Sequence, residues 1–399
     1  MGNRENTLRI TWVTRSFLDY RIPVYEALDK LVSENLCLIF SKEYVPERVY
    51  AKARKTLGER AIGLSGEWKI GSEDRGGFAN SKLSFRFHPA LLKIIGQTKP
   101  EVLIGDGFFK WSFAALLHRL LRQVPLVICY ERTFHTERNA QWYRTLFRRA
   151  VVKATDAMCC NGKLSEEYCQ WLGMDPGRIT YGHMVADTKG LARKASDVHS
   201  IMVQRLRSEC QISGTLFLYV GSLSPRKGVE QLLKTWALFE AKHGNGATFM
   251  LVGDGELRNE LEEFCKERGL KGVRFVGTVD YEKVAEYYAA ADVFIMPTLE
   301  DNWSLVVPEA MACGLPVLCS KYNGCWPELV HDGINGWVLD PLKPDDILRV
   351  LELCIDNRKK LKSMGEQSRE IGSHFSPENA AKSILEACTI ALNIQKGQA

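Results

Sequence analysis

One lysine, two carboxylates and a run of backbone amides fall at strand ends in the second half of this 399-residue chain. The richest stretch is 296–319, MPTLEDNWSLVVPEAMACGLPVLC. An apolar run, residues 293–296, reads as a buried strand that Pro297 ends. A polar turn, Glu300-Asp301-Asn302, leads into a short helix with Pro308 near its start and Gly314 capping its end. The amides of Asn302, Trp303, Ser304, Leu305 and Val306 then face out of a helix N-terminus, where unpaired N–H groups and the helix dipole suit a phosphate. Asp301 stands before that helix and Glu309 inside it, and carboxylates suit hydroxyls. Donors for phosphate beside acceptors for hydroxyls fit a nucleotide-sugar. The same residues also fit an ordinary strand–turn–helix unit with a polar turn.

Other strand ends of this half add to the set. GSLSPRKG (221–228) supplies Gly221 and Ser222, small enough for close backbone approach, then Arg226 and Lys227, whose charges reach a phosphate. Gly253 opens the tight turn GDGE, and Gly277-Thr278-Val279 offers backbone groups and an apolar face for a base.

Alternating strands and helices must position these residues. In the first half, strands are expected at 8–13, 35–40, 102–104, 124–130 and 156–160, with helices at 23–31 and 165–172. Residues 42–80, charged, Gly-rich and weakly periodic, read as a variable excursion, and 187–195 as an interdomain linker. The second half restarts at 216–220. Strands follow at 248–252, 273–276, 293–296, 315–319 and 336–339, a sheet of about six, with helices at 229–241, 257–268 and 283–290. Ser376-Pro377-Glu378 caps a final helix to about 394. The pattern predicts two doubly wound parallel α/β domains, 1–190 and 191–375, facing across a cleft, with 376–399 a helix packing back on the first.

Size and composition narrow the class. Hydrophobic residues at 45% and charged ones at 25% describe a soluble globular chain, and no segment approaches the roughly 18–20 apolar residues of a membrane span. MGNRENTLRI lacks the apolar core of a signal peptide, and Asn6 breaks a myristoylation signal, so a cytoplasmic location is expected. The 12 cysteines form no CxxC pair and read as reduced, with no metal site among them. Residues 1–190 hold 29 Lys+Arg against 20 Asp+Glu, net +9; the rest hold 24 against 28, net −4. Two stretches of the basic half, 108–122 and 142–153, combine aromatics with Lys and Arg and suit either core packing or an anionic membrane surface. No motif supports a nucleic-acid partner.

The order GSLSPRKG, LVGDGELRNEL, VRFVGTV, EDNWSLVVPEAMACGLPVL and GINGWVL resembles the family-4 retaining glycosyltransferases of the two-domain GT-B architecture, over about residues 215–345. The resemblance implies transfer of a sugar from a UDP- or GDP-linked donor to a hydroxyl acceptor, possibly lipid-linked, with retention of configuration and without a metal or other cofactor. In that family a Glu-x7-Glu pair brackets the phosphate-binding helix start. The second acid falls on Glu309, implying contact with ribose hydroxyls. The first falls on Asp301, one methylene shorter, implying contact with the donor sugar. Of the family's basic pair, Lys227 is present, Ser222 occupies the usual Arg position, and Arg226 is the substitute. Lys227 and the amides would stabilise the leaving diphosphate. In the acceptor half the family places a His or acid after the strand ending at Tyr130. Glu131 and His135 are the catalytic candidates there, and Arg132, Tyr20, Arg21 and Asp106 the acceptor-binding ones; a solvated charged loop is the alternative. Rival functions are a nucleotide-sugar epimerase of the same architecture and a non-catalytic binding protein.

Overall fold

A computed structural model describes residues 7–71, 78–79, 84–108, 110–281 and 283–397. The residues on which export and myristoylation are judged, 1–6, lie outside these. So do residues 72–77 of the charged excursion and Phe109 of the first aromatic-basic stretch.

The chain forms two units. Nearly all described residues up to Val185, together with Ser376 onward, make the first; Ala186–Phe375 make the second. In the first, β1 (Ile10–Val13), β2 (Leu36–Ser41), β3 (Ala61–Leu64), β6 (Val102–Asp106), β7 (Leu126–Tyr130), β8 (Ala157–Cys160) and β9 (Ile179–Tyr181) form a parallel sheet. A hairpin of β4 (Trp68–Gly71) and β5 (Ser84–Phe87) stands beside it. The strand order is β3-β2-β1-β6-β7-β8-β9. In the second unit, β10 (Thr215–Val220), β11 (Ala247–Val252), β12 (Val273–Gly277), β13 (Val293–Met296), β14 (Val317–Ser320) and β15 (Gly336–Leu339) give the order β12-β11-β10-β13-β14-β15, again parallel. The central strands are buried from end to end, as continuous apolar runs covered on both faces require.

The order reverses between β1 and β6 in one sheet and between β10 and β13 in the other. Open α/β sheets leave a crevice at such points, because neighbouring connections diverge to opposite faces. Both candidate sites lie at these two places.

Two expectations fail. The excursion at 42–80 contains the helix Glu47–Leu57 and strands β3 and β4. Its helix has a charged outer face and a narrow apolar stripe of Val49, Ala53 and Leu57, too sparse to stand out in sequence. Residues 187–195 are not a linker. Asp187 caps the helix Thr188–Asp197 by accepting from the Gly190 amide, and that helix packs within the second unit on the helices Val284–Ala290 and Val306–Ala312. The last helix, Pro377–Gln395, lies on the helix Ile22–Leu31 of the first unit. Its buried stripe of Ala380, Ala381, Ile384, Ala387, Cys388 and Ala391 permits close approach, and Thr180 Oγ1 donates to Ser383 O at 2.8 Å.

Candidate active site

In the second unit the loops after β10, β11 and β13 hold one another by backbone contacts. The amide of Gly253 donates to Gly277 O and that of Gly221 to Val252 O. Leu299 N and Glu300 N both donate to Arg226 O, as does Thr298 Oγ1. Gly228, at φ +69°, lies so close to the β13 loop that a Cβ would stand 2.1 Å from Pro297 O. Only glycine permits that approach. The Tyr219 hydroxyl donates to Ser222 O at 2.8 Å and braces the loop from beneath.

This locking sets Lys227 against Asp301, Nζ to Oδ2 at 2.5 Å, with both side chains only 12% exposed. Ser304 Oγ donates to the same carboxylate at 2.6 Å. Burial opposes ionisation of Asp301, but the Lys227 ammonium and the Ser304 hydroxyl outweigh it and hold the carboxyl below its usual range. The result is an ion pair with one cation and one ready acceptor at the sheet's switch point.

The helix begins later than the sequence suggests. It runs Val306–Ala312, with Leu305 at its N-cap. Asp301 instead bridges to the loop after β14, with Asp301 N donating to Tyr322 O and Gly324 N to Asp301 O. The Ser304 amide is committed to Asn323 Oδ1 at 3.3 Å, and the Trp303 ring is buried against Phe375. Among the expected amides, those of Leu305 and Val306 therefore sit at the helix start, whereas Asn302, Trp303 and Ser304 precede it. Val279, Leu305 and Val306 are half-buried against the core of this unit.

Glu309 lies in the first turn of that helix, 7% exposed, and accepts from the hydroxyls of Tyr288 (3.1 Å) and Tyr281 (3.4 Å). Burial pushes its carboxyl up to about 7, against the two tyrosine hydrogen bonds. The folded protein thus keeps the Glu309 proton across a range where the unfolded chain has lost it. Stability falls as pH rises from about 4.5 to 7, by about 3 kcal/mol. Glu309→Gln, which cannot ionise, is expected to gain thermal stability over wild type at pH 8 but not at pH 4.5. Parallel melting profiles for the two proteins across that range would contradict the assignment.

In the first unit Tyr20, Arg21, Asp106, Glu131 and Arg132 line a single cavity of about 350 Å³ at the carboxyl ends of β1, β6 and β7. Arg21 donates to Asp106 Oδ1 (3.1 Å) and to His183 O (3.2 Å), and Trp12 Nε1 donates to Asp106 Oδ1 as well. His135 is not among the lining residues. It sits in a turn pinned by reciprocal Thr133–Thr136 bonds, which carries Glu137 rather than His135 into the interior. Arg132 donates to Glu137 at 2.6 Å, and Glu137 also pairs with Arg148, both of the latter 1% exposed.

Several cavity residues escape sequence reasoning. Arg15 follows β1 and is paired with the buried Glu67, which also accepts from Trp111 Nε1. His183 lines the cavity too; its Nε2 faces Tyr130 O at 3.1 Å and its Nδ1 faces Arg21. Burial and then Arg21 push His183 down to about 3, so it is neutral, with its Nε2 proton on the carbonyl. Glu67 lies inside the unread excursion, and only its partner across 52 residues gives it meaning. Lys110 and Arg148 fall in the aromatic-basic stretches 108–122 and 142–153, which with the basic excess of residues 1–190 were the signals for them.

Two family models match the chain: Glycosyl transferases group 1 over residues 209–371 and Glycosyltransferase Family 4 over residues 49–189. An uncharacterized glycosyltransferase of Methanocaldococcus jannaschii is 30% identical over 168 residues, which is 42% of this chain and 46% of the relative. The sulfoquinovosyl transferase of Arabidopsis thaliana is 24% identical over 361 residues, 85% of this chain and 64% of its own length. The chain thus spans about half the length of the first archaeal relatives it matches. Among solved structures, Anabaena HepE in complex with UDP superposes with a TM-score of 0.74 over 96% of this chain and all of the other, at 17% identity. That likeness establishes the fold.

Proposed function

From a chain that belongs to the family-4-like glycosyltransferases of the GT-B architecture, we propose an enzyme that moves a sugar from a nucleotide-sugar to a hydroxyl acceptor. The observation that carries this reading is the Lys227–Asp301 pair at the β10/β13 switch point. In the transfer, the bond from the anomeric carbon to the diphosphate oxygen breaks and one to the acceptor oxygen forms. The acceptor proton leaves for the departing phosphate or a neighbouring base. Negative charge gathers on the diphosphate, where Lys227 and Arg226 stand, and Asp301 accepts from donor-sugar hydroxyls. Glu309 accepts from ribose hydroxyls in place of a tyrosine. Retention of configuration and independence of divalent metal belong to the same proposal; the cationic lysine at the leaving group supports the latter. A UDP-linked donor is favoured by the UDP complexes of HepE, which shares the fold.

The acceptor belongs in the first unit's cavity. Among the described residues no helix is long and apolar enough to cross a membrane. The helix Trp142–Lys153 nonetheless exposes Trp142 and Leu146 together with Arg149, which supports peripheral contact with an anionic membrane from the cytoplasmic side. In the other aromatic-basic stretch, Phe108, Trp111, Ala114 and Ala115 are buried, and among its described large apolar residues Leu120 and Leu121 are the exposed ones.

Nucleotide release from a panel of UDP- and GDP-sugars, with and without candidate acceptors, is the direct test. Release stimulated by acceptor and insensitive to EDTA is expected. An epimerase would convert donor without acceptor, a binding protein would turn over none, and loss of activity in EDTA would remove the metal-free mechanism.

A further inference from the structure

For a ribose hydroxyl to reach Glu309, one of the two groups that close it off must move. The carboxylate is nearly buried, and among the described residues it accepts from two tyrosine hydroxyls, each on its own oxygen. Tyr288 holds Oε2 at 3.1 Å and Tyr281 holds Oε1 at 3.4 Å. A carboxylate so enclosed is costly to leave without donors, and the two hydroxyls meet that need.

The two tyrosines are unequally held. Tyr288 lies in the helix Val284–Ala290, is 1% exposed and packs its ring on Phe294 of β13, with centroids 6.0 Å apart. It belongs to the core of this unit, and moving it would open that core. Tyr281 stands in the turn before the same helix and is 50% exposed. Its bond to Glu309 is longer than the roughly 2.5–3.0 Å of a strong O–H···O bond and correspondingly weak. Rotation of the Tyr281 side chain breaks that weak bond and uncovers Oε1 while Tyr288 and the core stay in place. Glu309 therefore opens on the Tyr281 side.

We propose that Tyr281 is a placeholder for the donor's ribose: its hydroxyl and a ribose hydroxyl are alternative donors to Glu309 Oε1, while Tyr288 stays on Oε2 and orients the acid. This role rests on the nucleotide-sugar reading, to which it adds a residue that sets how strongly a ribose is preferred. When the ribose arrives, one hydrogen bond to Glu309 is lost and one is made, so the ligand gains only the difference between them. The nucleoside diphosphate left after transfer is released more readily than from a carboxylate with no competing donor, because Tyr281 returns to the oxygen it vacates. A ligand that lacks ribose hydroxyls leaves Tyr281 where it is and is indifferent to it.

Calorimetric titration of the full chain tests the proposal, at about pH 8 so that Glu309, with its pKa of about 7, is ionised. The probes are whichever of UDP and GDP wild type binds, and the 2′,3′-dideoxy form of the same nucleotide. Tyr281→Phe is expected to bind the ribonucleotide about threefold more tightly than wild type, the size of one weak hydrogen bond no longer competed for, and the dideoxy form equally. Tyr288→Phe is expected to bind the ribonucleotide about tenfold more weakly, with a smaller loss for the dideoxy form, because the acid is no longer aimed. Unchanged or weaker ribonucleotide binding by Tyr281→Phe overturns the placeholder role and leaves the nucleotide-sugar reading standing. So does an equal change for both ligands, which marks a general disturbance of the turn. Binding of neither UDP nor GDP by wild type removes the nucleotide-sugar reading itself, and the placeholder with it.

Discussion

Lys227→Ala is expected to lower the transfer rate at saturating donor by about 10²–10³-fold, equivalent to roughly 3–4 kcal/mol of transition-state stabilisation. The lysine is rigidly placed: Gly228 locks its loop against Pro297, and Asp301 holds its ammonium at 2.5 Å. Such a charge needs no reorganisation when the diphosphate departs, so its loss falls on kcat rather than on binding alone. The variant also strands Asp301 in a buried place without its cation, so its carboxyl rises and part of the fold's stability goes with it. The double variant Lys227→Ala/Asp301→Asn separates these effects, because it restores melting temperature without restoring rate. Steady-state kinetics that place Lys227→Ala within threefold of wild type would remove Lys227 from the chemistry.

Glu137→Leu is expected to destabilise the first unit by about 3–5 kcal/mol, since it leaves Arg148, 1% exposed, and Arg132 as buried or half-buried cations with no shared carboxylate. For a unit of this size that corresponds to a melting shift of roughly 6–20 °C. Two units need not melt together, so calorimetry with resolved transitions is the measurement. The transition that nucleotide raises should stay in place, and the other should drop. Removing the charges together, as Glu137→Leu/Arg148→Met, should recover most of the loss, because an apolar pair carries no desolvation penalty. A Glu137→Leu melt within about 2 °C of wild type would mean that the buried carboxylate does not hold these arginines.

The two predictions address the two halves of the chain, and those halves were unequally legible. In the second unit every strand was expected within two residues of its observed start, because parallel strands covered on both faces are continuous apolar runs between Gly- and Pro-rich turns. Lys227 and Asp301 stood out because each lies in a loop after such a run, where a residue type with chemistry has no core to fill, and Glu309 because an acid stands inside the short helix that follows. In the first unit β1, β2, β6, β7 and β8 were readable, but β3, β4, β5 and β9 and the helix Glu47–Leu57, with its charged face, were not; in the second unit the helix Thr188–Asp197 was hidden by a composition resembling a linker.

By itself, then, the sequence determined the parallel two-sheet fold, the charged residues Lys227 and Asp301 at strand ends and the basic bias of the first half, all of which depend on local periodicity, turn chemistry and composition. Only the tertiary structure decided how these residues are used. It delayed the helix to Val306 by tying Asp301 to the loop after β14, and it gave Glu309 two tyrosine partners 21 and 28 residues away. It also turned His135 aside and assembled Arg15, Lys110, Tyr130, Arg132 and Arg148 around one cavity. Burial, pairing and pKa are properties of neighbours brought together across the sequence, and no local pattern encodes them.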